Sequence, residues 1–242
     1  MEFRLMVLVL PFVLIANAHA FDQKSVSRLI ATGECAGCDL SGAKLQRLFL
    51  EKVNLAGANL RRARLEEAEL EKSNFEKADL RQANFRLADL EYANLAKANM
   101  RGVKLSGADL EKATLAGADL SDAEMQFAYL VRTDLTGANL SRANLHRANL
   151  KRAILSKANL AGARLEWANL ERANLKGANL KGANFKLANL RRAHFDGADF
   201  DQANLAGANL LGAHGLTRAQ LAGACGDRKT SLPKGLSVKP CK

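Results

Sequence analysis

Residues 138–150 read Ala-Asn-Leu-Ser-Arg-Ala-Asn-Leu-His-Arg-Ala-Asn-Leu, so that a leucine closes each Ala-Asn-Leu triplet and returns every five residues. The same frame extends in both directions. From Leu40 to Leu210 every fifth residue is Leu, Phe or Met, which makes (210 − 40)/5 + 1 = 35 consecutive positions. Ala lies two residues before 29 of these 35 positions, and Asn or Asp lies one residue before 24 of them. The chain is therefore a repeat protein over most of its length.

A period of five fits neither a long helix nor a long strand. In a helix, successive leucines would step by about 140° around the axis and form no apolar face. In a flat strand, an odd period would place successive leucines on opposite sides. The period predicts a three-residue strand followed by a two-residue corner. We name the five places the alanine, face, leucine, first-corner and second-corner positions. Alanine and leucine positions should point inward, and Asn or Asp at the face position should hydrogen-bond the nearby backbone.

These units resemble the A-(D/N)-L-x-x unit of the pentapeptide-repeat family, for example at Ala58-Asn59-Leu60, Ala138-Asn139-Leu140 and Ala178-Asn179-Leu180-Lys181-Gly182. The resemblance covers about 35 × 5 = 175 residues. It implies an all-β, right-handed quadrilateral β-helix with four pentapeptides, or twenty residues, in each coil. A step of twenty also appears independently in the sequence, in Glu51, Glu71, Glu91 and Glu111. The rod should have 35/4 = 8.75 coils and a length of ~42 Å at ~4.8 Å per coil.

Both ends of such a rod need closing, because an open coil exposes its core and unpaired strand edges. We expect an N-terminal cap over 21–37, the β-helix over 38–213, and a C-terminal cap and tail over 214–242. Val26, Leu29 and Ile30 have helical spacing ahead of Gly33, and Thr217 to Gln220 match a capping box, so each cap should contain a short helix. The tail after Cys225 is predicted to be ordered without regular structure.

Residues 1–20 are typical of a signal peptide. An apolar run from Leu5 to Ala16 precedes Ala18-His19-Ala20, which matches an A-x-A cleavage site. The run is too short for a membrane span of about 20 residues, although an uncleaved anchor or a buried helix remains the alternative. We expect cleavage after Ala20, no transmembrane segment in the mature protein, and a periplasmic or secreted location.

Four cysteines lie in two pairs, one near each end of the repeats. Because the ends should be ~40 Å apart and a disulfide needs Cα atoms within about 7 Å, pairing across the rod is excluded. We expect a bridge between Cys225 and Cys241. Cys35 and Cys38 occupy a leucine and an alanine position, where they form either a structural bridge or two packed thiols. The C-x-x-C has neither the second ligand pair of a metal site nor a thioredoxin-like context.

The outward positions carry an uneven charge. With twenty residues per coil, one second-corner series is basic in seven of its eight members, and we call it the basic column: Lys52, Lys72, Tyr92, Lys112, Arg132, Arg152, Arg172 and Arg192. The first-corner residues beside it are Glu in the front half and then Val131, Lys151, Glu171 and Arg191. Residues 131–192 hold 13 Lys or Arg and 3 Asp or Glu, a net charge of 13 − 3 = +10 out of the chain's +11.

The four arginines of the basic column, with Lys151 and Arg191, form a candidate surface for an anionic partner. The plainer interpretation is a solvated face that keeps the rod soluble. A second corner series provides a candidate apolar patch at Phe127, Trp167 and Leu187, with Leu87 further forward. Single exposed apolar residues are ordinary, but two on consecutive coils would suit a protein partner. His194 and His214 share a column and could stack on adjacent coils. We expect simple substitution on an outer face rather than the paired metal site that two stacked histidines could form.

The sequence contains no catalytic constellation, and it predicts neither a cofactor nor a metal. We expect an exported, non-enzymatic scaffold or interaction protein whose basic face meets an anionic or acidic partner of the cell envelope. The alternative is a nucleic-acid-binding or gyrase-related member of the family. Export disfavours this alternative, and a mimic of DNA would need acidic columns where these are basic.

Overall fold

The computed structural model describes residues 22–241, which form a solenoid with a twenty-residue coil. Each face position pairs in parallel with the face position twenty residues later, from Glu34 with Asn54 to His194 with His214. The predicted twenty-residue coil is therefore confirmed. Each coil has four such pairing positions and four two-residue corners. Pairing thus begins at residue 34 and reaches residue 214, compared with the expected limits of 38 and 213. The predicted signal peptide lies outside the described residues.

The core is a stack of leucine and alanine side chains. All 35 leucine positions from Leu40 to Leu210 are buried, and so are all 29 alanines of the alanine position. Small and large inward residues alternate within each coil, so the interior fills without crowding. The inward assignment of both positions is confirmed.

Two polar residues occupy the alanine position without leaving a buried hydroxyl unpaired. Ser73 donates a hydrogen bond to the carbonyl of Leu50 at 2.9 Å, and Thr133 donates to the carbonyl of Leu110 at 2.8 Å. Both side chains are fully buried. Each hydroxyl therefore recovers the hydrogen bond that it loses on leaving water.

Five backbone N–H groups in each repeat need partners. The leucine and second-corner N–H groups donate to carbonyls of the following coil, the face N–H donates to the preceding coil, and the alanine N–H closes the turn within the same chain segment. The first-corner N–H remains, and the side chain at the face position accepts it. All 24 Asn and Asp residues of this position accept this bond, as Asn54 does from Ala56 and Asn139 from Ser141. The predicted role of Asn and Asp is confirmed.

Every second-corner residue from Gly42 to Gly212 has a left-handed backbone with positive φ. Of these (212 − 42)/5 + 1 = 35 residues, 12 are glycine and 23 are not. A side chain in this region costs about 1 kcal/mol or more relative to glycine. The sequence contains the signal for this geometry, since each glycine between residues 42 and 212 stands at a second-corner position.

Short helices cap the rod, as predicted. Helix α1 spans Gln23–Thr32, begins at the N-cap Asp22 and ends at Gly33 with φ of 70°. Val26 and Leu29 of α1 are buried against the first coil, whereas Ile30 is exposed. Helix α2 spans Arg218–Leu221 and has the capping box predicted for it. In residues 22–241 no helix has the length and apolar character needed to cross a membrane.

The C-terminal tail has regular structure, contrary to our expectation. Strands β1 (Cys225–Gly226) and β2 (Lys239–Pro240) pair in parallel. Cys225 and Ser231 also pair with the last face positions, Asn204 and Asn209. The tail therefore covers the exposed edge of the final coil with backbone hydrogen bonds. The side-chain pattern did not predict this pairing, because backbone groups make it.

Two disulfides join the cysteines within each end. Cys35 bonds Cys38, and Cys225 bonds Cys241 with their Cα atoms 4.8 Å apart. Both disulfides agree with the pairing that the rod geometry allows. Of the two alternatives for Cys35 and Cys38, a disulfide or two packed thiols, the structure has the disulfide. Cys35 points inward and is fully buried, while Cys38 is only partly buried.

The repeat frame makes a direct prediction about stability. Ala143 and Leu145 are fully buried, whereas Ser141 lies at a corner. Ala143→Leu should overpack its coil and cost ~1–3 kcal/mol, and Leu145→Ala should leave a cavity and cost ~2–5 kcal/mol. Ser141→Ala should change little and is the control. Thermal or denaturant unfolding measures all three, and equal stabilities would show that the frame is misassigned.

The disulfide pattern predicts the result of non-reducing peptide mapping. A linked peptide should contain Cys225 and Cys241, which close a loop with a sequence separation of 16. Chain-entropy estimates give such a loop ~3 kcal/mol of stabilisation, so Cys225→Ser with Cys241→Ser should melt at a lower temperature. A bond from Cys35 to Cys225 within one monomer would contradict the rod itself.

Candidate interaction surface

Two of the three lysines in the front half of the basic column are neutralised by neighbouring glutamates. Lys72 pairs with Glu71, and the Nζ of Lys112 lies 3.3 Å from Glu91 and 3.1 Å from Glu111. The same ammonium donates to the Tyr92 hydroxyl at 2.8 Å, and this bond, together with that to Glu111, raises the pKa of Lys112. The positive charges of Lys72 and Lys112 are therefore held in local pairs, whereas Lys52 has no carboxylate within 4.0 Å in residues 22–241.

The back half of the column has no such partners. We call its four residues, Arg132, Arg152, Arg172 and Arg192, the arginine edge. All four are exposed, and their φ angles lie between 56° and 60°. Over the described chain from 22 to 241, no carboxylate comes within 4.0 Å of these guanidinium groups. Successive residues of the edge belong to coils that pair directly, about 4.8 Å apart, so their like charges repel.

Glu171 lies beside the arginine edge but pairs with another residue. Its carboxylate lies 3.3 Å from the ammonium of Lys151 on the preceding coil. That hydrogen bond is the main reason why the pKa of Glu171 is lowered, while the charges of Arg172 and Arg191 add smaller contributions. Lys151 reaches it more readily because both residues belong to the same first-corner column. The pair leaves the guanidinium groups of the edge free.

The choice of residues at the second corner indicates a use for the basic charge. Glycine fits this backbone without strain, and Asn and Asp are the other residues usually found in it. Among the 23 residues that are not glycine, however, 14 are Lys or Arg, one is Asp122, and none is Asn. Packing of the core does not require a long cation here, because the side chain points away from it. The second-corner position therefore carries Lys and Arg side chains although its left-handed backbone does not favour these residues.

The candidate apolar patch is interrupted by an arginine. Phe127 and Trp167 are 52% and 54% exposed, and the half-buried Leu187 follows on the next coil. Arg147 lies between the two rings, with its guanidinium carbon 6.0 Å from the centre of Phe127 and 5.9 Å from that of Trp167. These distances allow cation–π attraction on both sides. The sequence interpretation missed this residue, although Arg147 stands at the intervening step of twenty.

His194 and His214 stack, as their shared column allows. Their ring centres are 4.8 Å apart with an angle of 20° between the planes, and both rings are exposed. Within residues 22–241 no group of three or more His, Cys, Asp or Glu residues has a geometry that suits a metal ion. The histidine pair is thus a continuation of the face ladder at the end of the rod.

The described chain is a solenoid of five-residue units, closed by two disulfide-bearing ends and charged along its corners. The family model for pentapeptide repeats matches it in 8 copies, over residues 34–71, 68–107, 98–137, 118–156, 158–195 and 183–214. The chain belongs to the pentapeptide-repeat family. Among curated proteins, no sequence matches it.

Solved structures of the same family resemble the chain to different degrees. HetL, a protein involved in heterocyst differentiation regulation in the cyanobacterium Nostoc, is 29% identical with a TM-score of 0.53, over 87% of this chain and 99% of HetL. The plasmid-mediated fluoroquinolone resistance protein QnrB1 is 22% identical with a TM-score of 0.46, over 72% and 92%. A protein of the Arabidopsis thaliana thylakoid lumen is 32% identical with a TM-score of 0.25, over 49% and 65%.

The Lys151–Glu171 pair predicts how stability depends on pH. A carboxyl group whose pKa is lowered on folding stabilises the protein above its unfolded pKa, and this contribution disappears as the pH falls through the folded pKa. Glu171→Gln should therefore lower the melting temperature near neutral pH and make no difference in acid. Glu124→Gln, which also removes one exposed carboxylate, is the control. An equal difference between parent and Glu171→Gln at both pH values would contradict the pairing.

Proposed function

We propose that the protein is an exported, non-enzymatic interaction protein, built as a right-handed four-sided β-helix, whose arginine edge binds an anionic or acidic surface of the cell envelope. The observation that carries the proposal is the contrast within one column. Lys72 and Lys112 in its front half are paired with glutamates, whereas Arg132, Arg152, Arg172 and Arg192 carry four unpaired charges on successive coils.

The unpaired charges suit a partner that supplies the missing anions. Isolated arginines on a surface need no explanation, but four on stacked coils repel one another and occupy a strained backbone. An anionic surface would offset both costs, because arginine binds carboxylate and phosphate groups in a planar, two-pronged geometry. The rigid spacing of the coils holds the four groups in a row, so binding orders the arginine side chains but requires no ordering of the backbone.

Export is supported by the character of residues 1–20 and by the cysteines. The leader has the apolar run and small-residue cleavage motif of a secretory signal. Two disulfides suit an oxidising compartment. The mature protein would then begin at Phe21 and meet the envelope from the periplasmic or outer side.

The non-enzymatic part of the proposal rests on how the acidic residues are used. Aspartates at the face position accept backbone hydrogen bonds, as Asp89 does from the N–H of Glu91. The glutamates beside the basic column pair with lysines. Such residues maintain the solenoid and its surface charge, and they are not grouped around a cleft as an acid–base pair would be.

Nucleic acid is the second candidate partner, since unpaired arginines also suit a phosphate backbone. The cellular compartment separates the two proposals. Cell fractionation should recover the mature chain, shortened by the leader, outside the cytoplasm. Recovery of the full chain in the cytoplasm, bound to nucleic acid, would favour the alternative.

Replacing Arg132, Arg152, Arg172 and Arg192 together by Gln tests the arginine edge. The variant should associate less with the envelope fraction, and the remaining association should depend less on salt, because screening acts on the charges that were removed. Its melting temperature should be unchanged or slightly higher, since repulsion between the coils is relieved. The measurement is fractionation of envelopes at low and high ionic strength.

A matched control removes the same number of charges from the next corner of the coil. Lys77, Lys97 and Lys157 are second-corner residues with φ of 58° to 59°, and Lys176 lies beside them. Replacing these four by Gln lowers the net charge equally and should leave envelope association intact. If both quadruple variants behave alike, net charge alone governs association and the arginine edge is not a binding site.

A further inference from the structure

A groove of about 390 Å³ opens on a corner half a coil away from the arginine edge. Its lining includes the first-corner residues Arg61, Arg81 and Arg101 of three successive coils. The residues that line it comprise four arginines and one aspartate, a formal net charge of 4 − 1 = +3, which becomes 4 − 2 = +2 when Asp79, the partner of Arg81, is included. A positive charge of this size in a concave part of the rod is suited to binding an anion.

Aspartates lie beside two of these arginines: Asp79 is hydrogen-bonded to Arg81, and Asp122 forms an ion pair with Arg101. The Nε of Arg81 donates to Asp79 at 2.8 Å, and this pairing lowers the pKa of the Asp79 carboxyl. Arg101 lies 3.5 Å from Asp122, which also accepts two bonds from Arg142 at 2.7 and 2.9 Å. Asp122 is therefore shared between two cations and neutralises neither of them fully. Arg61 has no carboxylate within 4.0 Å in the described chain.

A missing side chain creates the space between the arginines. Gly102 lines the groove at a second-corner position, where the coils on either side have Gln82 and Asp122. Around it, Gln82 is fixed by a bond from the Nε of Arg62 at 3.0 Å. A Cβ atom at residue 102 would meet only the Cγ of Gln82, at 3.8 Å. The glycine thus leaves an open notch rather than a filled corner.

We propose that this groove binds a phosphoryl group, either as free phosphate or as the phosphate headgroup of a lipid. Arginine guanidinium groups present N–H donors in a rigid plane that matches two phosphate oxygens. Three of them, on coils about 4.8 Å apart, surround the notch. Arg81 is held by Asp79 through Nε and Nη2 and keeps its remaining N–H groups for the phosphate. The site shares no residue with the arginine edge and does not depend on its function.

Gly102→Leu tests the site without changing its charge. The backbone at residue 102 has φ of 65°, and leucine already adopts a similar backbone at Leu87 and Leu187, with φ of 57° and 61°. The variant should therefore fold and fill the notch. Arg81→Gln, with Arg61→Gln and Arg101→Gln, removes the cations instead. Replacing Lys77, Lys97, Lys157 and Lys176 together by Gln serves as the control that lowers charge elsewhere.

The measurement is the melting temperature of the mature chain in inorganic phosphate and in chloride at equal ionic strength. A ligand that binds only the folded state raises the melting temperature with its concentration. Phosphate should stabilise the parent and the quadruple Lys→Gln variant, whereas Gly102→Leu and the triple Arg variant should lose this effect, with a phosphate affinity at least about tenfold weaker. A parent that phosphate does not stabilise, or a Gly102→Leu variant that it stabilises equally, would overturn the proposal.

Vesicles distinguish the two sources of the phosphoryl group. Phosphatidic acid in phosphatidylcholine vesicles presents a terminal phosphate at a surface. If the parent binds these vesicles more tightly than Gly102→Leu does, the site takes a lipid headgroup. If both proteins bind them equally while only the parent is stabilised by inorganic phosphate, the site takes the free ion.

Discussion

Five backbone N–H groups in every repeat have to find acceptors, and the rest of the structure depends on how they do so. Three of them reach neighbouring coils and one closes the turn, as in Leu55, Gly57, Asn59 and Ala58. The fifth belongs to the first-corner residue and has no backbone acceptor. A short side chain with an oxygen at its γ-carbon, two residues earlier, is the group that reaches it. The preference for Asn and Asp, found at 24 of 35 face positions, thus follows from the hydrogen bonding of the backbone.

The same requirement sets the corner. To return the chain through a corner in two residues while its N–H groups still face the adjacent coil, the second-corner residue takes a left-handed backbone. Glycine meets this condition in 12 of 35 corners, and other residues meet it in 23. Burial of the inward leucines and alanines offsets the backbone strain at these corners. Outward side chains are consequently free to vary in charge and size without changing the core.

The sequence predicts those parts of the structure that depend on side chains in a strict register. Leu145 and Ala143 are buried because the period places them inward, and the capping box at Thr217 identifies α2. Parallel pairing of the tail at Cys225 and Ser231 was not predicted, because backbone groups make it and any residue has them. The left-handed corners were missed as well, even though the restriction of glycine to one position indicates them.

Surface contacts were the least predictable. The sequence places Glu171 beside both Lys151 and Arg172, and only the direction of each side chain decides that Lys151 is its partner. Likewise, a step of twenty brings Arg147 to the column of Phe127 and Trp167, but its position between the rings depends on rotamers. Columns can be derived from the period, whereas pairs within and between columns cannot.

Because the core and the corners are independent, each corner of the rod can acquire its own chemistry. The charge of the arginine edge and that of the groove around Arg81 differ in the way they are held: exposed and unpaired in one case, fixed by Asp79 and opened by Gly102 in the other. An extended row of free cations suits a broad anionic surface, and a notch between fixed cations suits a compact anion. In a solenoid of this kind, function is therefore a property of columns and notches, and the fold shared with HetL determines only how far apart they lie.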